Sequence, residues 1–191
     1  MEKQKELNIL LTAKATEVIS RSGLKLSVVI KNLPGGLIGG YNKFDSTITI
    51  NPKQLILSAI EHQLSPEDFL ELIVCHELGH AMDALLTEEL LKNLDFIKEK
   101  LYNKLTEFDE LDLNPNREHN KFQLVKKEAL EIIERLKNLE YPAEERACQL
   151  GRELVAKHLL NAYDNHSKEL LKTYLKNYRE MIFDKSTIQN S

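Results

Sequence analysis

Cysteine, net basic charge and long apolar runs are scarce or missing in this chain, and each shortage excludes a class of protein. The two cysteines, Cys75 and Cys148, are too few for a disulfide framework and suit a reducing compartment. No stretch of 18 consecutive apolar residues occurs, so no membrane-spanning helix is expected. With 26 Lys and Arg against 30 Asp and Glu, both signs mix along the chain and no basic stripe forms. Nucleic acid and acidic membrane surfaces are therefore not expected partners. The start, Met1-Glu2-Lys3-Gln4-Lys5-Glu6, carries both charge signs and no apolar core of a secretory signal. The expected location is cytoplasmic, although secretion of a processed form would leave the same start. There is no internal repeat and no low-complexity linker. A chain of 191 residues with 42% hydrophobic content fits one domain with a sizeable core.

What is present is concentrated in ten residues, Val74-Cys75-His76-Glu77-Leu78-Gly79-His80-Ala81-Met82-Asp83. On a helix, His76 and His80 lie one turn apart on the same face and can hold one metal ion. Imidazole suits Zn²⁺, and three protein ligands with one open position make a catalytic site. Glu77 is offset from the ligand pair yet close enough to take a proton from an acidified water as general base. Ile73, Val74, Leu78 and Ala81 make this helix apolar nearly all round, so its polar residues need buried partners. Cys75 precedes His76 by one residue and points about 100° away on the helix. Both cysteines read as small core residues.

In chain order, residues 3–22 predict an amphipathic helix ended by Gly23, and 24–30 a strand. The stretch 33–40 holds four of the seven glycines. It lacks a following Gly-Lys-Ser/Thr, so it reads as a turn between strands or a loop over the site. Ser46-Thr47-Ile48-Thr49-Ile50 alternates polar and apolar residues. Its threonine side suits an edge strand able to pair with an extended peptide. A short helix over 52–63 follows. Ser65-Pro66 then starts the metal-binding helix, predicted to span 66–86. Helices are expected over 90–111, 117–139, 143–163 and 167–183, with a turn at Asn114-Pro115-Asn116 and a break at Tyr141-Pro142. The expectation is an α+β fold, mostly helical, with a small N-terminal sheet and a helical insertion over 87–142.

Candidates for the third ligand are Glu144, Glu145, His119, His158 and Asp83. The helix after Pro142 presents a close-packing face of Ala147, Gly151, Leu154 and His158. Glu144 lies on that face, whereas Glu145 lies on the polar side with Gln149 and Arg152. A carboxylate at a buried helix contact calls for a partner such as a metal, which favours Glu144. Asp83 could accept the second N–H of a ligand histidine. Tyr141, Arg146 and His158 are candidates to stabilise a developing oxyanion.

His76-Glu77-x-x-His80 followed by Glu144-x-x-Ala147 resembles the gluzincin branch of the zincin metallopeptidases. The strand Thr47–Ile50 before His76-Glu77-Leu78-Gly79-His80 is similar to the intracellular ImmA/IrrE-type metallopeptidases. The ending Gly79-His80-Ala81-x-Asp83 resembles the anthrax lethal factor and Pro-Pro endopeptidase group. Lys137 stands where that group carries a transition-state tyrosine, and the nearest tyrosine is Tyr141. The stretch 81–143 is long for an ImmA/IrrE-type chain. The resemblance implies a zincin-like fold and zinc held by His76, His80 and Glu144, with Glu77 as general base. It also implies cleavage of a peptide or protein substrate, such as a regulatory protein. Two further expectations stand beside it: a toxin-like effector protease, and a zinc-stabilised interaction module that cleaves nothing.

Overall fold

In the computed structural model, residues 2–33, 36–113 and 119–187 are described. The chain splits into two compact units, Met1–Ala84 with Glu144–Glu169, and Leu85–Ala143 with Leu170–Ser191.

The first unit begins with α1 (Glu2–Ser22). Leu11, Ala15, Val18 and Ile19 recur at helical spacing, and all four are buried. Gly23, at φ +72°, closes α1 in the left-handed conformation that side chains resist. The predicted strand over 24–30 shortens to β1 (Ser27–Ile30). The glycine-rich stretch supplies an unpredicted strand, β2 (Gly39–Asn42), while Pro34 and Gly35 lie outside the described residues. β3 (Thr47–Ile50) follows as expected from its alternation, with Ile48 and Ile50 fully buried.

Strand order is β1-β3-β2, with β1 parallel and β2 antiparallel to β3. The expectation that Thr47–Ile50 forms an edge is therefore overturned: it is the central strand. Its threonines fooled the pattern because one face of this sheet remains half-exposed even at the centre. The edge nearer His76 and Glu77 is β2, which packs against α3 (Pro66–Met82).

Two caps fix the chain between sheet and α3. Asn51 caps α2 (Pro52–Glu61) by accepting from the Gln54 N–H, and its amide donates to the Leu37 carbonyl at 3.0 Å. That bond ties the segment leading into β2 to the start of α2. Ser65 accepts from the Asp68 N–H at 3.0 Å, with Pro66 at the first helical position, so α3 begins as predicted. It stops at Met82, earlier than the predicted residue 86. Every residue from Phe69 to Gly79 is buried, which makes α3 the core of this unit. Glu71 is buried there too. It receives hydrogen bonds or ion pairs from Arg21, from Lys14 at 3.2 Å and from the Ala156 N–H at 2.9 Å. Burial alone would raise its carboxyl, but these donors lower it to about 2.

The second unit is built on α4 (Glu88–Asp112) and part of α5 (His119–Arg152). Buried Leu94, Ile97, Leu101 and Phe108 on α4 face Phe122, Val125, Ala129, Ile133 and Leu136 on α5. Phe108 meets Phe122 at 4.8 Å between ring centres, while Leu94 and Leu136 share a second cluster. The helices are therefore an antiparallel hairpin with apolar residues three and four apart, as in coiled coils. Glu140 is buried among its partners Lys98 and the Tyr174 hydroxyl of α6 (Leu160–Thr187). The predicted turn at Asn114-Pro115-Asn116 lies outside the described residues.

Two helix boundaries are corrected. α5 runs straight through Tyr141-Pro142, where a break was expected. Pro142 is exposed, so its ring lies on the solvent side, and the buried residues Leu136, Ala143 and Ala147 flank it along the helix. Packing on both sides outweighs one lost backbone bond. The expected single helix over 143–163 instead ends at Arg152. A turn and a short 3-10 segment, Lys157–Leu159, follow before α6.

Candidate metal centre

The site is made where α3 meets the last two turns of α5. On α3, His76 and His80 stand one turn apart, with ring centres 4.8 Å from each other and planes at 88°. On α5, the Glu144 Oε2 lies 3.2 Å from His76 Nε2 and 3.5 Å from His80 Nε2. One atom from each of the three residues falls within 4.8 Å of the others, so the group could hold a metal ion. The carboxylate side chain is only 17% exposed, and the two imidazoles 10% and 14%. Water therefore screens the site weakly.

Close helix packing is what brings the carboxylate so near. A Cβ on Gly79 would lie 2.0 Å from the Ala147 carbonyl oxygen. A Cβ on Gly151 would lie 2.3 Å from the Cys75 carbonyl oxygen. Each helix thus offers a glycine to the other's backbone, and the reciprocity fixes both separation and register. Glu144 is three residues before Ala147, so this register directs it at the histidines.

Charge and burial shape the site together. Burial would push the His76 ring toward neutrality, yet contacts with Cys148 and Glu144 and the nearby Glu77 charge raise it to about 10. Burial would likewise protonate Glu144, but the two histidines hold it below the usual carboxylate range. The charges that favour a proton here also favour a cation. Glu77 is 8% exposed, and among the described residues no cation is paired with it.

Of the candidates for the third position, Glu144 is the one brought to both histidines. Glu145 is exposed on α5. His158 is 71% exposed and faces Asp68 at 3.8 Å. His119 and Tyr141 belong to the other unit. Asp83 stands at the C-cap of α3. It is buried and receives Nε and NH2 of Arg146, each at 2.9 Å. Arg146, considered for the oxyanion, is thereby engaged in fastening α5 to the end of α3.

Three features escaped the sequence reading. The first is β2, where a Cβ on Gly39 would lie 2.6 Å from Ile73 Cγ2 and 3.3 Å from Glu77 Oε1. The edge strand therefore passes directly over the glutamate. The sequence allowed a loop over the site here but not a strand, because glycine argues against one. The second is Cys148, whose sulfur lies 3.6 Å from His76 Nδ1. Its position four residues after Glu144 was the available clue. The third is the Arg146–Asp83 pair, invisible without the register of the two helices.

Among the described residues, no helix is long and apolar enough to cross a membrane. No protein-family model, curated protein or solved structure matches this chain.

Proposed function

We propose that the chain is a zinc-dependent endopeptidase of zincin type, acting on an extended segment of a peptide or protein. The observation that carries this reading is the convergence of His76, His80 and Glu144 from two helices, with Glu77 buried beside them. Two imidazoles and one carboxylate form a donor set suited to zinc, and among the described residues no further protein ligand joins the group. When bound, zinc would supply Lewis acidity that acidifies a water and polarises a peptide carbonyl.

The chain's own residues account for the rest. Glu77 follows His76 by one residue, so its carboxylate is displaced from the ligand face yet stays within the same buried space. There it accepts a proton from water and passes it to the leaving amine. Strand β2 has a partner on one side only, and its other edge carries no strand among the described residues. An extended peptide adding to that edge would pair through backbone hydrogen bonds. Gly39 would then set it beside Glu77, because no side chain separates strand and carboxylate.

The test is a peptide-library digestion with zinc-loaded wild type and Glu77→Gln. Expected are defined products from wild type only, with both proteins binding one equivalent of zinc. Zinc binding by wild type without any Glu77-dependent product would overturn the enzyme reading and leave a zinc-stabilised interaction module.

A further inference from the structure

We propose that Cys148 is a positioning residue for the metal centre: its sulfur accepts the Nδ1–H of His76 and turns Nε2 toward the metal. The proposal rests on the reading that His76 is a metal ligand.

The geometry on α5 carries it. Glu144 and Cys148 are four residues apart, so they stand on one helix face, one turn above the other. The lower one meets His76 Nε2 at 3.2 Å and the upper meets Nδ1 at 3.6 Å. One helix face thus addresses both nitrogens of a single imidazole. Cys148 is 7% exposed and His76 is 8% exposed, so water does not compete freely for Nδ1.

Tautomer chemistry gives the contact its direction. A neutral imidazole carries one N–H and one lone pair. If the thiol donated to Nδ1, the ring proton would sit on Nε2 and its lone pair would be lost to a metal. With the proton on Nδ1, sulfur is the acceptor and Nε2 faces Glu144 and His80 with its lone pair free. A ligand histidine usually has such an outer partner, most often a carboxylate or a backbone carbonyl. Here the crossing of α3 and α5 is too tight for a large side chain, as the contacts of Gly79 and Gly151 show. Cysteine is small enough to fit, and sulfur is large enough to reach the ring at 3.6 Å.

The other buried cysteine supplies the control. Cys75 lies next to His76 in sequence and packs in the core of the first unit, but its side chain points away from the ligand face. A packing defect alone should therefore follow from either cysteine, whereas a loss of ring orientation should follow from Cys148 only.

The experiment uses the full chain and its Cys148→Val, Cys148→Ser and Cys75→Val variants. Zinc affinity is read by competition with a chromophoric chelator, and the His76 tautomer by ¹⁵N–¹H correlation of the zinc-loaded proteins. Circular dichroism establishes that each variant is folded. Cys148→Val, which replaces the sulfur by methyl groups that accept no hydrogen bond, should bind zinc roughly 10- to 100-fold more weakly. Its Nδ1–H signal should exchange faster. Cys148→Ser should recover part of the affinity, and Cys75→Val should match wild type. Equal affinity and an unchanged Nδ1–H in Cys148→Val would overturn the proposal, as would an equal loss in Cys75→Val. Failure of wild type itself to bind zinc would overturn the metal reading, an outcome distinct from either.

Discussion

At the scale of single residues, two glutamates of the first unit show how environment assigns roles. Glu144 touches two histidines, whereas Glu145 beside it faces solvent. Glu144→Gln should abolish stoichiometric zinc uptake measured by atomic emission, while Glu145→Gln should retain it. Loss only in the second variant would contradict the assignment. Glu71 has a different task, because Arg21, Lys14 and the Ala156 N–H all converge on it. Its folded value near 2 lies below its ordinary 4.5, so its stabilising contribution is complete above 4.5. That contribution fades as pH falls from 4.5 toward 2, because protonation then favours the unfolded chain. Glu71→Gln should cost about 2 kcal/mol at neutral pH, less than a fully buried pair because its cations are partly exposed. Urea unfolding at pH 7, 4 and 3 should show the gap between wild type and variant shrinking with acidity. A constant gap would mean that the ion pairs contribute nothing.

At the scale of elements, the decisive event is the crossing of α3 and α5. The sequence suggested a close-packing face at Ala147 and Gly151, but not that Gly79, between His76 and His80, is its counterpart. Adding a methyl at position 79 must push against the Ala147 carbonyl, which belongs to helix backbone and cannot swing aside. Gly79→Ala should therefore destabilise the protein by roughly 1–3 kcal/mol and weaken zinc binding, although alanine is the better helix former. The edge strand offers a matched pair. Gly39→Ala would drive its methyl into Ile73 beside Glu77, whereas Gly40→Ala meets no atom within 4 Å. Melting temperature and peptide cleavage should both fall for the first and change little for the second. Equal effects at the two positions would argue that β2 does not pass over the glutamate.

At the scale of the whole molecule, burial is unevenly distributed between the units. α3 is buried on every side from Phe69 to Gly79, while α4 buries one face only. Local opening costs least where few apolar contacts must be broken. Hydrogen exchange read by mass spectrometry should find the amides of residues 69–79 slowest and those of α4 faster. Slower exchange in α4 would show that the helical hairpin, and not α3, is the stable centre.

Much of this was legible without coordinates, wherever the signal is local. Helix starts such as Ser65-Pro66 are written in neighbouring residues, and the His76–His80 pairing follows from helical pitch alone. The apolar spacing of α4 and α5 announced two amphipathic helices for the same reason. Signals that depend on context misled: Pro142 reads as a stop, yet tertiary packing carries α5 through it, and Thr47–Ile50 reads as an edge yet lies centrally. Distant pairings were silent altogether. Nothing near Gly39 names Glu77, nothing near Cys148 names His76, and nothing near Asp83 names Arg146. The sequence determined which residues could bind a metal, because ligand chemistry and helical periodicity are local properties. The tertiary structure decided which carboxylate meets both histidines, which strand runs over Glu77 and which atom holds the far side of His76. Those depend on the register of two helices that approach within a glycine's width, and no single segment encodes that distance.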